Sequence, residues 1–277
     1  MFMNSTPQPS IWRKEGLLSE ERIYTLLGQH PRILAYLGHD PITSELLLQH
    51  LQNGDLHGYL SCHPTVSYKT RIGWAIEIVE GITHLHSNNI VWHDTHLGNV
   101  LVTDDLHVVL CDFGSSLINP PVLQRFAVEP PPPYVCPSGY YGLTEKRQDI
   151  FGFGVILFAL LSQRFPHCSG FSPDFDELCA SADLHEIMEF DALSEISHPR
   201  FAKIVEKCFG IRYQSASELL ADLEKAHSSW IKDIEKVCRS FLHISAVCIG
   251  RLRESTEECA RSRCIRTRED GRRLFIK

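Results

Sequence analysis

Asp94 and Asn99 stand five residues apart, and Asp112, which opens Asp112-Phe113-Gly114, follows the asparagine by thirteen. Two carboxylates and an amide in this order suit magnesium-dependent phosphoryl transfer. Magnesium takes oxygen ligands in octahedral geometry, retains waters, and is usually held by one or two carboxylates together with nucleotide phosphates. Asn99 and Asp112 are therefore the candidate metal ligands. Asp94 is left free to accept the proton of an incoming hydroxyl.

The elements that must position these three residues are legible around them. Val100-Leu101-Val102 and His107-Val108-Val109-Leu110 flank Thr103-Asp104-Asp105, a pattern that predicts two short strands joined by a turn. Such a hairpin brings its ends together, so an amide at one end and a carboxylate just past the other can face one cation. Upstream, Ile72, Ala75, Ile76, Val79 and Ile82 recur at helical spacing and predict an amphipathic helix that ends just before Asp94. Val155 to Leu161 reads as a core helix, well short of the roughly twenty apolar residues needed to cross a bilayer. Ser215 with Glu218 forms a capping-box signature, continued by Leu219, Leu220, Leu223 and Ala226 on one helical face. Prolines at 120, 121, 130 to 133 and 137 exclude regular structure between them. The single G-x-G, Gly152 to Gly154, lacks a third glycine and reads as a packing feature.

At 277 residues the chain is long enough for one large domain or two small ones. Its ten cysteines include no C-x-x-C pair, and no charged start followed by an apolar stretch marks a secretory signal, which points to a reducing cytoplasmic setting, with a nuclear one as the variant. The net charge is −7, yet from Arg251 onward nine Arg or Lys face five Asp or Glu. No aromatic residues interleave with that basic tail in the manner of a stacking surface, so a solvated end is expected rather than a nucleic-acid partner.

The residues so far assembled resemble a eukaryotic protein kinase domain, from about Glu21 to about Leu223. Ile90-Val91-Trp92-His93-Asp94-Thr95-His96-Leu97-Gly98-Asn99 resembles the catalytic loop usually written H-R-D-L-K-P-x-N, and Asp112-Phe113-Gly114 matches the D-F-G motif. Asp149, in Gln148-Asp149-Ile150-Phe151-Gly152-Phe153-Gly154-Val155, resembles the family's buried aspartate that braces the catalytic loop. Ile23 to Gly28 and His30-Pro31-Arg32-Ile33 resemble the C-helix and the turn after it, which places Glu21 at the helix glutamate. Leu46-Leu47-Leu48 resembles the strand entering the hinge, with Gln49, His50 and Leu51 expected to line adenine through backbone groups. The end of the domain, Cys208-Phe209-Gly210 with Tyr213-Gln214-Ser215-Ala216, is most like a divergent group of kinases abundant in fungi.

The resemblance implies an α+β, two-lobed fold: residues 1–51 as a small, incomplete N-terminal lobe and hinge, 52–227 as a mostly helical C-terminal lobe, and 228–277 as an extension without assigned role. It implies transfer of the ATP γ-phosphoryl group to a serine or threonine hydroxyl of a protein substrate. Asp94 would serve as base, His96 beside it, Gln49 and Leu51 on the nucleotide, and Asn99 and Asp112 on Mg²⁺. Departures accompany it. His93 replaces the arginine that contacts a phosphorylated activation segment, and between Asp112 and Ser138 only Ser115, Ser116 and Tyr134 offer hydroxyls, which argues against a phosphorylation switch. His96, of a residue type only partly protonated at neutral pH, replaces a lysine. Ser138 stands where the A-P-E glutamate would pair with Arg212. No glycine-rich phosphate loop precedes Glu21, and Lys14, seven residues before it, is too near to serve as the strand lysine. These departures motivate a second expectation, a fragment or a pseudokinase scaffold with little turnover. A zinc site is a third: His84, His86, His93, Asp94 and His96 lie close in sequence, although His84 and His86 at i, i+2 point to different sides of a helix.

Overall fold

The computed structural model describes residues 9–40, 42–43, 45–118, 130–137, 145–186, 193 and 196–242. The chain divides into two units, 1–226 and 227–277, of which the first holds the candidate site. It opens with helix α1, Pro9–Leu27, whose first-turn proline needs no amide partner and whose end is closed by Gly28 at φ 61°, donating its N–H to the Tyr24 carbonyl at 3.0 Å. Ile23, Tyr24 and Leu27 form its buried stripe. Strands β1, Tyr36–His39, and β2, Leu46–Leu48, pair antiparallel with a bulge between Tyr36 and Gly38.

Helix α2, Leu56–Cys62, is capped by Asp55, whose carboxylate accepts from the Gly58 N–H at 2.9 Å, and α3, Tyr68–Ser87, by Ser67 accepting from the Thr70 N–H at 3.0 Å. The stripe predicted from sequence is buried at Ile72, Ala75, Val79 and Ile82, while Ile76 is half-buried; Trp74, Ile78 and Leu85 are buried as well. More than one face of α3 is covered, because it packs between α4 and the hairpin β4–β5.

That hairpin is the hub of the unit. Strands β4, Val100–Val102, and β5, Val108–Leu110, pair with Val100 opposite Leu110 and Val102 opposite Val108. The turn after α1 adds to it: Leu110 donates its N–H to the Arg32 carbonyl and its own carbonyl accepts from the Leu34 N–H, both at 2.9 Å. Two shorter strands, β3, Ile90–Val91, and β6, Leu117–Ile118, close a second ladder around the catalytic loop.

Helix α4, Glu145–Ser162, carries Ile150 to Leu161 through the core, nearly every side chain excluded from solvent. A Cβ at Gly152 would stand 2.9 Å from the Thr95 Cβ and 3.0 Å from the Thr95 carbonyl oxygen, and one at Gly154 2.7 Å from the Cys208 Cβ. The G-x-G is thus a packing feature: one glycine admits the catalytic loop, the other helix α6, Pro199–Phe209. Helices α5, Phe175–Glu186, and α7, Ala216–Leu242, complete the order. At the start of α7 the Ser215 hydroxyl accepts from the Glu218 N–H at 3.2 Å, and the Glu218 carboxylate reaches the N–H of Gln214 at 2.9 Å, one residue before the position a regular capping box would use. Among the described residues no helix is long and apolar enough to cross a membrane.

Candidate active site

Asp149 is 1% exposed, and its two oxygens are fully engaged. Oδ2 accepts from the Trp92 N–H at 2.8 Å, and Oδ1 from the His93 N–H at 2.8 Å and the Thr95 hydroxyl at 3.0 Å. The buried His86 ring approaches Oδ2 through Nε2 at 2.8 Å; a carboxylate can only accept, so Nε2 carries its proton. Asp149 thus fixes residues 92, 93 and 95 of the loop that carries Asp94. His93 sits at φ 69°, a left-handed conformation unfavourable for a residue with a Cβ, and it persists because its amide is held.

Asp94 and Asn99 are brought together. The Asn99 side-chain amide donates to Asp94 twice, to the backbone carbonyl and to Oδ2, both at 3.0 Å. With Nδ2 occupied, the Asn99 Oδ1 makes no hydrogen bond among the described residues and is the atom that could ligate a cation. His96 lies at the other carboxylate oxygen, Nε2 to Oδ1 at 3.4 Å, while its Nδ1 accepts from the Gly98 N–H at 3.1 Å. Accepting at Nδ1 leaves the hydrogen of the neutral ring on Nε2, directed at Asp94. His96 therefore starts the 3-10 turn Leu97–Asn99 and lies against Asp94, in place of the extended cation that a lysine would present.

Asp112 follows the hairpin as its register requires. The Cys111 N–H donates to the Asn99 carbonyl at 3.0 Å, one step beyond the Val100–Leu110 pair, so Asn99 and Asp112 flank the same end of the ladder. Asp112 is exposed, takes φ 55°, and its Oδ1 accepts from the Gly114 N–H at 3.3 Å. The buried Phe113 packs edge-on against Tyr24 of α1, centroids 5.0 Å apart, and its N–H donates to Glu20 Oε1 at 3.3 Å. Burial chiefly, and the Asp112 carboxylate next, push the Glu20 carboxyl up. The helix glutamate at the D-F-G is thus Glu20, whereas Glu21, expected there, faces β1, accepting from the Tyr36 hydroxyl at 2.7 Å with His39 at 3.1 Å. Glu20, Tyr24 and Leu27, at i, i+4 and i+7, share the inward face and would have identified the right glutamate.

Along the chain entering the hairpin, the Gln49 N–H is used by the Ala35 carbonyl at 2.9 Å, and the Leu51 carbonyl accepts from the Gly54 N–H at 3.4 Å. The Gln49 carbonyl and the Leu51 N–H make no hydrogen bond among the described residues, leaving an acceptor and a donor two residues apart. This segment is tied to the hairpin by the Asn53 side chain, donating to the Thr103 carbonyl at 2.8 Å, and by the Val102 N–H on the Gly54 carbonyl at 3.0 Å.

Other expected residues take different roles. Tyr134 is buried, and its hydroxyl oxygen accepts from the Leu97 N–H at 3.4 Å behind the catalytic loop; Ser116 is 1% exposed and donates to the Trp92 carbonyl at 2.9 Å, so neither hydroxyl is presented to solvent. Arg212 pairs with Glu206 at 3.1 Å; Ser138 lies outside the described residues, as does the side chain of Lys14. The clustered histidines do not converge: His84 stacks on His30 at 4.0 Å and bonds the Leu27 carbonyl, His86 serves Asp149, and among the described residues no three His, Cys, Asp or Glu side chains are placed to share a metal. Sequence reasoning assigned no role to Trp92, Thr95 or Glu20, and it offered His86 only as a zinc ligand rather than as the partner of Asp149.

Residues 5–230 match the protein kinase domain family. Curated relatives include a probable receptor-like protein kinase of Arabidopsis thaliana, 28% identical over 80% of this chain and 64% of the relative. A leaf rust 10 disease-resistance locus receptor-like protein kinase-like protein of the same plant is 32% identical over 56% of this chain and 25% of its own length. Serine/threonine-protein kinase PLK4 of Drosophila virilis is 27% identical over 53% of this chain and 18% of the relative. The chain thus spans less than two thirds of the length of these relatives.

Proposed function

The chain belongs to the protein kinase family, and from that premise we propose that it transfers the γ-phosphoryl group of ATP to a serine or threonine hydroxyl of a protein substrate. The observation that carries this reading is the pairing of Asp94 with Asn99 at the end of the hairpin that delivers Asp112. Asp94 orients the incoming hydroxyl and takes its proton as the oxygen bonds to the γ-phosphorus; the bond from that phosphorus to the bridging oxygen breaks, and its electron pair leaves with ADP. Oδ2 of Asp94 is already held by the Asn99 amide, so Oδ1 is the receiving atom. The nearby Nε2–H of His96 stabilises the charge on Oδ1 before the transfer.

The residues present fit a magnesium ion: among the described residues the Asn99 Oδ1 makes no hydrogen bond, and the exposed Asp112 lies one register step away. When bound, Mg²⁺ supplies charge neutralisation to the β- and γ-phosphates. Gln49 and Leu51 offer adenine an acceptor and a donor, and Glu20 fixes the Phe113 amide so that the D-F-G stays turned toward the hairpin. The serine or threonine preference is supported by the similarity to the Drosophila relative, a serine/threonine-protein kinase. Phosphate transfer from ATP to a generic protein acceptor tests the proposal. Asp94→Asn should reduce turnover to the background rate while melting as the parent does; parent protein with no transfer above that background would favour the scaffold alternative.

A further inference from the structure

Trp92 is fully buried, and each of its polar groups is used. Its backbone N–H goes to Asp149, its carbonyl accepts from the Ser116 hydroxyl, and its indole N–H donates to the Cys111 carbonyl at 3.2 Å. That carbonyl belongs to the peptide unit leading into Asp112. On the other side of the same residue, the Cys111 N–H is held by the Asn99 carbonyl at 3.0 Å.

Asp112 has φ 55°, a left-handed conformation that costs an L residue energy, though less for aspartate than for most, so that its surroundings help to hold it. The relaxed alternative is a rotation about the bonds flanking the 111–112 peptide, which would redirect the carboxylate at the end of the ladder that Asn99 and Asp112 flank. A donor fixed to the Cys111 carbonyl opposes that rotation directly. The indole N–H is suited to this, since it only donates, carries no charge and does not titrate.

We propose that Trp92 is a positioning residue: its indole N–H on the Cys111 carbonyl holds Asp112 in its left-handed conformation and thereby presents the metal-binding carboxylate to Asn99. The catalytic loop and the D-F-G are then coupled by an uncharged bond that needs no phosphorylated segment. This inference rests on the kinase reading above for its consequence, although not for its geometry.

The test compares two variants that each remove one hydrogen bond from the same buried residue. Trp92→Phe deletes the indole donor, and Ser116→Ala deletes the hydroxyl on the Trp92 carbonyl, which does not touch the 111–112 peptide. Both should lower the melting temperature. Only Trp92→Phe should raise the Mg²⁺ concentration giving half-maximal phosphotransfer, by about fivefold to tenfold, with little change in the KM for protein substrate. Equal shifts in both variants, or a loss of stability in Trp92→Phe without any change in Mg²⁺ requirement, would overturn the proposal. A second measurement uses the parent protein labelled with 15N-tryptophan. The Trp92 indole N–H should exchange with solvent far more slowly than an exposed indole, and its resonance should move when Mg²⁺ and ADP are added. Rapid exchange would refute the tether by itself. Protein that binds no Mg²⁺–nucleotide while its indole stays protected would refute the kinase reading and leave the tether standing.

Discussion

Replacing Asp149 by asparagine isolates the brace beneath the catalytic loop, and its cost can be worked through atom by atom. The aspartate accepts from two backbone amides, one hydroxyl and the His86 ring. If the asparagine oxygen takes the Oδ2 position, it keeps Trp92 N–H and His86; the new NH₂ then faces Thr95, whose hydroxyl can rotate to accept, and His93 N–H, which cannot. If the amide is flipped, His86 can change tautomer but the Trp92 N–H loses its acceptor. In either orientation one buried backbone N–H is stranded, at about 1–3 kcal/mol, and the surviving bonds lose their charge assistance, so the sum is about 2–4 kcal/mol. Where His93 is the one released, its φ of 69° relaxes and carries the adjacent Asp94 with it. A displacement of about 1 Å at a reacting group costs on the order of a hundredfold in rate. Urea unfolding followed by circular dichroism gives the first quantity and single-turnover phosphotransfer the second. A variant within about 0.5 kcal/mol of the parent, roughly the error of such extrapolations, and with unchanged turnover would refute the assignment of Asp149 as the brace.

Further outcomes follow from the same geometry. Gly152→Ala should place a methyl against the Thr95 side chain and carbonyl, lowering stability by about 1–3 kcal/mol and reducing kcat more than KM, as measured by unfolding and steady-state kinetics. His30 is stacked on His84 and its pKa is lowered, by burial first and by His84 next, with Arg32 also lowering it and Glu80 opposing. Because the unfolded chain binds a proton there more readily, the contribution of His30 is present above its ordinary value of 6.5 and is lost as pH falls through the depressed value; His30→Gln should flatten the fall in stability seen below that pH in urea titrations. Burial, with Asp112 and Glu20 nearby, pushes the Cys111 thiol up to about 12, whereas Cys62 is exposed. Iodoacetamide at mildly alkaline pH should label Cys62 in the native protein and leave Cys111 unmodified until unfolding, a difference read by peptide mass spectrometry.

The parts of this site that the sequence discloses are those set by local rules. Val100 to Leu110 reads as a hairpin because β-branched runs flank a polar turn, and the hairpin alone brings Asn99 and Asp112 to one end of a ladder. Asp149 precedes an apolar run long enough to be a core helix, so a buried carboxylate at its start had to find donors outside that helix. Glu20 was missed because adjacent helical residues differ by about 100° in direction, and only the packing of Tyr24 on Phe113 decides which of two neighbouring glutamates turns inward. Nothing local encodes the Trp92 bond either: its acceptor lies 19 residues away, and an aromatic next to a catalytic loop reads from sequence as core alone. His96 shows a third limit, since its residue type suggested a replacement cation, while the Gly98 amide at its Nδ1 makes it a turn-former facing Asp94.

The central claim is that Asn99 and Asp112 together hold the cation that carries the nucleotide. Isothermal calorimetry of ATP binding, with and without Mg²⁺, on the parent protein and on Asp112→Asn tests it most directly. The parent should bind ATP in a Mg²⁺-dependent manner, and the variant should lose about tenfold or more of that dependence, with its Mg²⁺-free affinity unchanged. Identical Mg²⁺ dependence in both proteins would contradict it.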